Sequence, residues 1–385
     1  MKTNTTTRKR EVITIEEEVL YVALELGKAR WKVASTPGAG QKPREVWIKG
    51  GDGEGLRHEI ERAKQRFGLS SPAAVRSCYE AGQEGFWLHR YLVAAGVRNV
   101  VVDSSSIEVK RRARRAKSDH LDVGKLLKML LRYSWGEREV WSVVKVPTVE
   151  QEDARQLHRE LWTLKQERTR VLNRMRGLVA AHGVTLKGRG KGFLRWLEEV
   201  GLWDGSGLAL GVRRRLEREY ARLELIGEQI RGIEKERREA MEDLGDERVK
   251  KVRSLMGFRA LGMETAWLYT MEFFSWRGFR NRREVGALAG LVPTPYQSGG
   301  MSHDQGVSKA GNRYVRALAV EAAWRWLRWQ PRSQLSLWYR ERFGAGSKRL
   351  RKIGIVALAR KLLVALWRYV EKGVLPQGAQ LKPIG

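Results

Sequence analysis

Four carboxylates stand at places where the pattern of the chain turns over. Glu25 closes one apolar run, Glu80 closes another, and Asp119 and Asp122 are three apart at the start of a helical pattern, hence on one helix face. Carboxylates gathered in one cleft repel each other unless divalent cations sit among them, and their hard oxygen donors suit Mg2+. Two such ions would clamp a phosphodiester and stabilise the oxygens of an in-line displacement. Each residue also has an ordinary reading: a strand-end Glu is usually solvated, Asp119 reads as a helix N-cap and Asp122 as a partner of the helix dipole. Directly ahead of Asp119 run Lys110, Arg111, Arg112, Arg114, Arg115 and Lys117, either a solvated charge run or a track for a phosphate backbone leading to the acidic residues.

A second constellation lies in the last third. Pro295-Tyr296-Gln297-Ser298-Gly299-Gly300 places a serine before two glycines, adaptable backbone that lets a phosphate approach closely. Ser308-Lys309-Ala310-Gly311-Asn312 follows, and Lys309, Arg313 and Arg316 fall at or near a helix N-terminus, a place suited to anions. Composition alone does not make Ser298 a nucleophile. Leu261-Gly262-Met263-Glu264-Thr265-Ala266 reads as a glycine turn opening a helix, a weak sign of a backbone-gripping hairpin element. Trp324, Trp326 and Trp329, interleaved with Arg325 and Arg328, suit either base stacking or a helical core. The six histidines show no metal-ligand spacing.

The elements that must position these residues follow from periodicity. Apolar runs at Val19–Leu24 and Trp31–Ala34 across a Gly-Lys-Ala-Arg turn read as a hairpin, and Val46–Lys49 as a third strand. Helical patterns over Leu56–Phe67 and Gly85–Ala95 alternate with strands over Ala73–Tyr79 and Val97–Val102, and a helix runs from Asp119 to Tyr133. The order βββαβαβ is that of a ribonuclease-H-like fold, in which Glu25, Glu80 and the Asp119/Asp122 pair converge. Beyond Glu150, one heptad seam runs through Leu157, Leu161, Leu164, Val171, Met175 and Leu178, interrupted at Arg168. A second runs through Leu216, Leu223, Ile226, Ile230, Ile233 and Leu244. They predict two long helices paired as a coiled coil, joined through a glycine-rich stretch, Gly183 to Gly211, that serves as the hairpin or an insertion. The last third is mainly helical, over Glu264–Phe274, Arg282–Ala289, Arg313–Trp329 and Lys348–Val370, with a glycine- and serine-rich loop from Gln297 to Gly311.

Charge narrows the partners. The 385 residues hold 74 Lys or Arg against 44 Asp or Glu, a formal net charge of +30. Lys250 to Gly385 alone carries +18, from 25 cations and 7 acids. Such an excess is most easily matched by a polyanion, with nucleic acid ahead of an anionic membrane surface or simple solubility. One cysteine excludes a disulfide scaffold, and no apolar run reaches the roughly 20 residues of a membrane span. A cytoplasmic, nucleoid-associated protein without membrane contact is expected.

In order and chemistry, these strings resemble transposases of the insertion sequence one-ten class. The markers are Ala23-Leu24-Glu25-Leu26-Gly27-Lys28, Tyr79-Glu80-Ala81-Gly82, Lys117-Ser118-Asp119-His120-Leu121-Asp122, Leu261–Ala266, Ala289-Gly290-Leu291-Val292-Pro293, Gln297-Ser298-Gly299 and Ser308–Asn312. The resemblance implies an α/β plus α chain: a polar tail (1–18), a RuvC-like ribonuclease-H domain (19–148), a coiled-coil region with the glycine-rich insertion (149–249), a helical serine transposase domain (250–373) and a tail (374–385). It implies excision and integration of mobile DNA, with Ser298 as a nucleophile forming a phosphoserine link and Glu80, Asp119 and Asp122 as Mg2+ ligands. It also implies a bridge RNA pairing with donor and target double-stranded DNA, and dimers assembling to a tetramer in which the acidic site of one subunit meets the serine of another. The family's first acidic residue is typically Asp. Glu25 stands here instead, its carboxylate displaced by roughly one bond length, 1.5 Å. Mg2+ tolerates little distortion, so either the site adjusts or this copy is impaired. Two alternatives stay open: a Holliday-junction type nuclease with water as nucleophile, and a catalytically impaired nucleic-acid-binding derivative.

Overall fold

The computed structural model describes residues 18–82, 85–107, 119–188, 191–298 and 301–382. The chain divides at Val146/Pro147 into two compact units.

The first unit is built on β1 (Val19–Leu26), β2 (Arg30–Thr36), β3 (Arg44–Lys49), α1 (Gly53–Arg66), β4 (Ala74–Glu80), α2 (Trp87–Ala94), β5 (Arg98–Val102) and α3 (Asp119–Ser134). The sheet order is β3-β2-β1-β4-β5, with β1 antiparallel to β2 and parallel to β4, and β4 parallel to β5. β1 lies at the centre and is covered on both faces, which is why it reads as a nearly continuous apolar run. Alternation splits its side chains. Leu20, Val22 and Leu24 pack with Leu56, Ile60, Leu88 and Leu92 of α1 and α2, while Tyr21 and Ala23 pack with Val123, Leu126, Leu127 and Leu130 of α3.

The second unit holds α4 (Val149–Asp153), α5 (Gln156–Ala180), α6 (Lys191–Glu199), α7 (Leu210–Ala240), α8 (Glu247–Met256) and α9 (Met263–Tyr269), which widens into a π turn at Thr270–Phe274. Then come α10 (Arg282–Leu288), the hairpin β6 (Pro293–Ser298) and β7 (Met301–Val307), α11 (Arg313–Trp329), α12 (Gln334–Tyr339) with a π turn at Arg340–Gly344, and α13 (Lys348–Lys372). α5 and α7 pair through Leu161, Leu164, Val171, Met175 and Val179 against Leu216, Ile226, Ile230 and Ile233. Two seam positions differ from the heptad reading. Val179 is buried where Leu178 was expected, because a straight helix of 3.6 residues per turn drifts off a strict seven-residue repeat. Leu244 lies beyond the end of α7 and is exposed.

Three further expectations change. Gly183 to Gly211 contains α6, whose Phe193 and Leu197 are buried, with Phe193 stacked on Tyr220 at 4.7 Å. Nearly half of the Gln297–Gly311 loop is strand β7, paired with β6 so that Ser298 is in register with Met301. Within the tail, residues 380–382 are docked: Gln330 exchanges hydrogen bonds with Gln380 (2.7 and 2.8 Å), Leu381 bridges Phe258, and Lys382 donates to the Gly257 carbonyl at 2.7 Å. The paired helices and the helical bundle also share one core, since Leu157 and Trp162 of α5 pack against the cluster of Leu318, Trp326, Leu358 and Leu362.

Candidate functional site

In the first unit the sheet brings two of the four carboxylates to one level. Leu24 of β1 is in register with Tyr79 of β4, so one step further Glu25 stands beside Glu80 at the C-terminal ends of neighbouring parallel strands. Strand alternation places both on the face covered by α3. Glu25 is half-buried and Glu80 exposed. α3 runs opposite to β4: Arg76 donates to the Ser134 carbonyl (3.5 Å), and the Cys78 thiol lies 3.8 Å from the Leu126 carbonyl. From Leu126 to Asp122 the helix rises about 6 Å, and from Cys78 to Glu80 the strand advances about 7 Å. The first turn of α3, with Asp119 and Asp122 in its backbone, therefore reaches the level of Glu80. The side chains of Asp119 and Asp122, and the whole run Lys110 to Lys117, lie outside the described residues. Among the described residues no group of three or more His, Cys, Asp or Glu side chains is arranged to hold a metal.

Opposite Glu25 on β2 stands Lys32, which the sequence reading did not single out. It is 6% exposed, and its ammonium pairs with Glu45 at 3.0 Å. A buried cation thus belongs to the same stretch of sheet as the candidate acidic site.

In the second unit, Ser298 ends β6; its side chain lies outside the description, but its backbone register is set by Met301. The Ser308–Asn312 loop that follows β7 is held against the 288–292 segment at several points. Ser308 N donates to the Val292 carbonyl and Asn312 N to the Leu288 carbonyl, both at 2.8 Å. Gly290 and Gly311 have φ of +66° and +127°, and a β-carbon at Gly311 would collide with the Leu288 carbonyl. Lys309 is itself left-handed, at φ +55°, an uncommon and costly conformation for a residue with a β-carbon. Arg316 secures it: Nη1 donates to the Lys309 carbonyl at 2.9 Å and reaches that of Ala289 at 3.5 Å. Arg316, read from sequence as a phosphate ligand, is thus engaged as a backbone clamp. Lys309 and Arg313 keep exposed side chains.

Beneath this loop is a buried ionic cluster. Glu272, in the π turn, is fully buried and accepts from His158 Nε2 (2.8 Å), Arg159 Nε (2.5 Å) and Nη2 (3.1 Å), and Asn312 Nδ2 (2.8 Å). Burial alone would raise the carboxyl pKa, but the hydrogen bonds from His158 and Arg159 outweigh it and bring it down to about 2. Desolvation holds His158 below the ordinary imidazole range, which makes it a neutral ring donating through Nε2. Asn312 also caps α11, its Oδ1 accepting from the backbone of Tyr314 (2.9 Å) and Val315 (3.0 Å). One carboxylate therefore ties α5, the π turn and the start of α11 together.

Residues 252–337 match the family model described as Transposase IS116/IS110/IS902 family. The chain is 42% identical to y4rJ, a candidate transposase of Sinorhizobium fredii (strain NBRC 101917 / NGR234), over 96% of each chain. It belongs to the IS116/IS110/IS902 transposase family. It is also 30% identical to the transposase for insertion sequence element IS1328 of Yersinia enterocolitica, over 46% of this chain and 50% of that one. With the transposase for IS1111A of Coxiella burnetii (strain RSA 493 / Nine Mile phase I) it shares 29% identity over 60% and 61%. The matched stretch takes in the buried Glu272, the β6–β7 hairpin, the clamped loop and α11.

His158, Arg159 and Glu272 escaped the sequence reading. One signal was available: Glu272 is the only charge in Thr265–Phe274, and a lone carboxylate inside an apolar helical run must be paired to be buried. Of the tryptophans weighed for stacking, Trp326 is core, while Trp324 and Trp329 are half-exposed, with Arg328 over the Trp329 ring at 5.4 Å.

Proposed function

We propose that this transposase cuts and rejoins DNA with Ser298 as nucleophile, while Glu25, Glu80, Asp119 and Asp122 form a Mg2+-binding site on a ribonuclease-H-like, RuvC-like first unit. The observation that carries the serine reading is the placement of Ser298 at the end of a hairpin whose continuation, Ser308–Asn312, is over-determined by Gly290, Gly311, Arg316 and the Glu272–Asn312 bond. Such a loop fixes the backbone from which Lys309 and, at the start of α11, Arg313 extend, so that their charges can meet charge developing on a phosphate. The strand order β3-β2-β1-β4-β5, with Glu25 and Glu80 at one level, supports the acidic-site reading. Their all-oxygen donors fit Mg2+, which when bound supplies Lewis-acid polarisation of phosphate oxygens.

In the serine step, the Ser298 hydroxyl loses its proton and its oxygen bonds to phosphorus. The bond from phosphorus to a sugar oxygen breaks, and that oxygen takes up a proton and departs as a hydroxyl. Attack by a hydroxyl of another strand reverses the sequence, restoring serine and a phosphodiester without ATP. Guidance by a bridge RNA on donor and target duplexes, and dimers that assemble to a tetramer, rest on the family resemblance.

The test is a trap. Wild-type protein with labelled element-end DNA and the element's RNA is expected to give a denaturation-resistant protein–DNA adduct that Ser298→Ala abolishes. An undiminished adduct in the variant, or hydrolysed ends with no adduct in the wild type, sinks the serine role.

A further inference from the structure

The acidic face of the first unit holds one cation that the proposed chemistry does not use. Lys32 of β2 lies on the face covered by α3, as its register partner Glu25 does, and β-carbons of directly paired antiparallel residues stand about 5 Å apart. The residue is 6% exposed, so its ammonium has given up most of its water. Two neighbours hold it. Glu45 of β3 pairs with Nζ at 3.0 Å, and Glu45 Oε1 comes to 4.0 Å from where a β-carbon on Gly124 of α3 would stand. That carboxylate therefore lies under the helix that begins at Asp119. Trp47, directly opposite Lys32 on β3, has its ring centre 5.4 Å from Nζ. A ring face at this distance favours the charged ammonium.

Stability alone gives no reason for the pair. A buried ion pair is often no better than apolar side chains of similar volume, and the same face of the sheet is otherwise lined by residues such as Ala23 and Ala34. What the pair changes is the charge beside Glu25. Without Lys32, Glu45 would stand as a further carboxylate next to a site that already gathers Glu25 and Glu80. Without Glu45, a bare ammonium would face those two. We propose that Lys32 is a positioning residue that sets the charge of the acidic site: paired with Glu45, it keeps that carboxylate from joining Glu25 and Glu80, and so limits how tightly a divalent cation is held. Mg2+ sites that act on phosphates use few carboxylates and leave positions for oxygens of the substrate, which an added carboxylate would fill. This role presupposes that Glu25 and Glu80 are cation ligands, as proposed above.

Mn2+ suits the same oxygen donors, and its binding to the full chain without DNA can be followed by electron paramagnetic resonance. Lys32→Met should tighten Mn2+ binding about tenfold and Glu45→Gln should weaken it about as much, through charge lost within a few ångströms of the site. The opposite signs are decisive, because damage to the fold would weaken binding in both. Lys32→Met combined with Glu45→Gln, which strands neither charge, should bind within about twofold of wild type. If Lys32→Met alone does not fold, Glu45→Gln and the double variant carry the test. Unchanged or weaker binding in folded Lys32→Met, or unchanged or tighter binding in Glu45→Gln, would overturn the proposal. Glu25→Gln and Glu80→Gln separate the two readings. Mn2+ binding indifferent to both removes the acidic site and the role of Lys32 with it, whereas binding that depends on them but ignores Lys32 and Glu45 overturns only the role of Lys32.

Discussion

Asn312 donates through Nδ2 to the buried carboxylate of Glu272 at 2.8 Å, and the same side chain caps α11 through Oδ1. The bond links the loop behind the serine hairpin to a π turn, a widened helical turn of the kind often found at functional sites. Since Glu272 also holds His158 and Arg159 of α5, the loop is tied to the long helix pair as well as to its own bundle.

Glu272→Ala is expected to destabilise the second unit by about 3–5 kcal/mol, because it strands the Arg159 charge and the donors of His158 and Asn312. Glu272→Gln, which can still accept one or two of those bonds, should cost less. Guanidinium denaturation followed by circular dichroism measures both. A loss under about 1 kcal/mol for alanine would show that the cluster is not structural.

The cluster also makes a prediction about pH. Folded His158 titrates below its ordinary 6.5, so as pH falls through 6.5 the unfolded chain binds a proton that the folded chain does not, and stability declines. Folded Glu272 titrates near 2 against an ordinary 4.5, so its contribution is present above about 4.5 and is lost as pH falls towards 2. Unfolding midpoints measured from pH 8 to 3 should therefore fall in two stages. His158→Gln should flatten the first and Glu272→Gln the second.

Lys309→Gly should separate stability from activity. A left-handed non-glycine residue costs about 1–2 kcal/mol, partly offset by the greater freedom glycine has when unfolded, so the unfolding midpoint should hold or rise. Strand cleavage should fall because an ammonium is lost beside the proposed phosphate. A variant with full cleavage would remove Lys309 from the phosphate-binding set.

Gly311→Ala should act in the opposite sense, losing both stability and cleavage, because its β-carbon meets the Leu288 carbonyl and φ is +127°. A thermal melt compared with that of Gly306→Ala, where nothing crowds a β-carbon, isolates the steric effect.

Glu25→Gln and Glu80→Gln should each reduce Mg2+-dependent cleavage by at least about 100-fold, the scale expected when a metal ligand is neutralised, while DNA affinity stays within a few-fold. Cleavage assays across a Mg2+ titration, beside anisotropy on the same DNA, check this. Unaltered cleavage in either variant would exclude that residue as a ligand.

Much of the first unit was legible because its signals are local. The apolar runs marked the five strands to within a few residues, and alternation along β1 already implied that Glu25 lies on the opposite face from Leu24. α11 spans Arg313 to Trp329 as its helical pattern predicts, with Asn312 ahead of it as a good cap. The short hairpin was misread as a loop because Gly, Ser, Gln and His carry little strand propensity, and cross-strand pairing, not composition, makes β7. The glycine-rich insertion was opaque for a related reason: its order comes from Phe193 stacking on Tyr220, a residue on another helix.

By itself, the sequence determined the five strands of the first unit and the long helices of the second, and that a strongly cationic chain carries carboxylates and a serine in transposase-like strings, since period, charge and short motifs are properties of neighbours along the chain. Only the tertiary structure decided that Glu272 would meet His158 and Asn312, and that Arg316 would hold the Lys309 carbonyl. Those relationships depend on which helices pack together and how their loops close, and packing selects partners by shape and unmet hydrogen-bonding capacity at distances along the chain that no local pattern encodes.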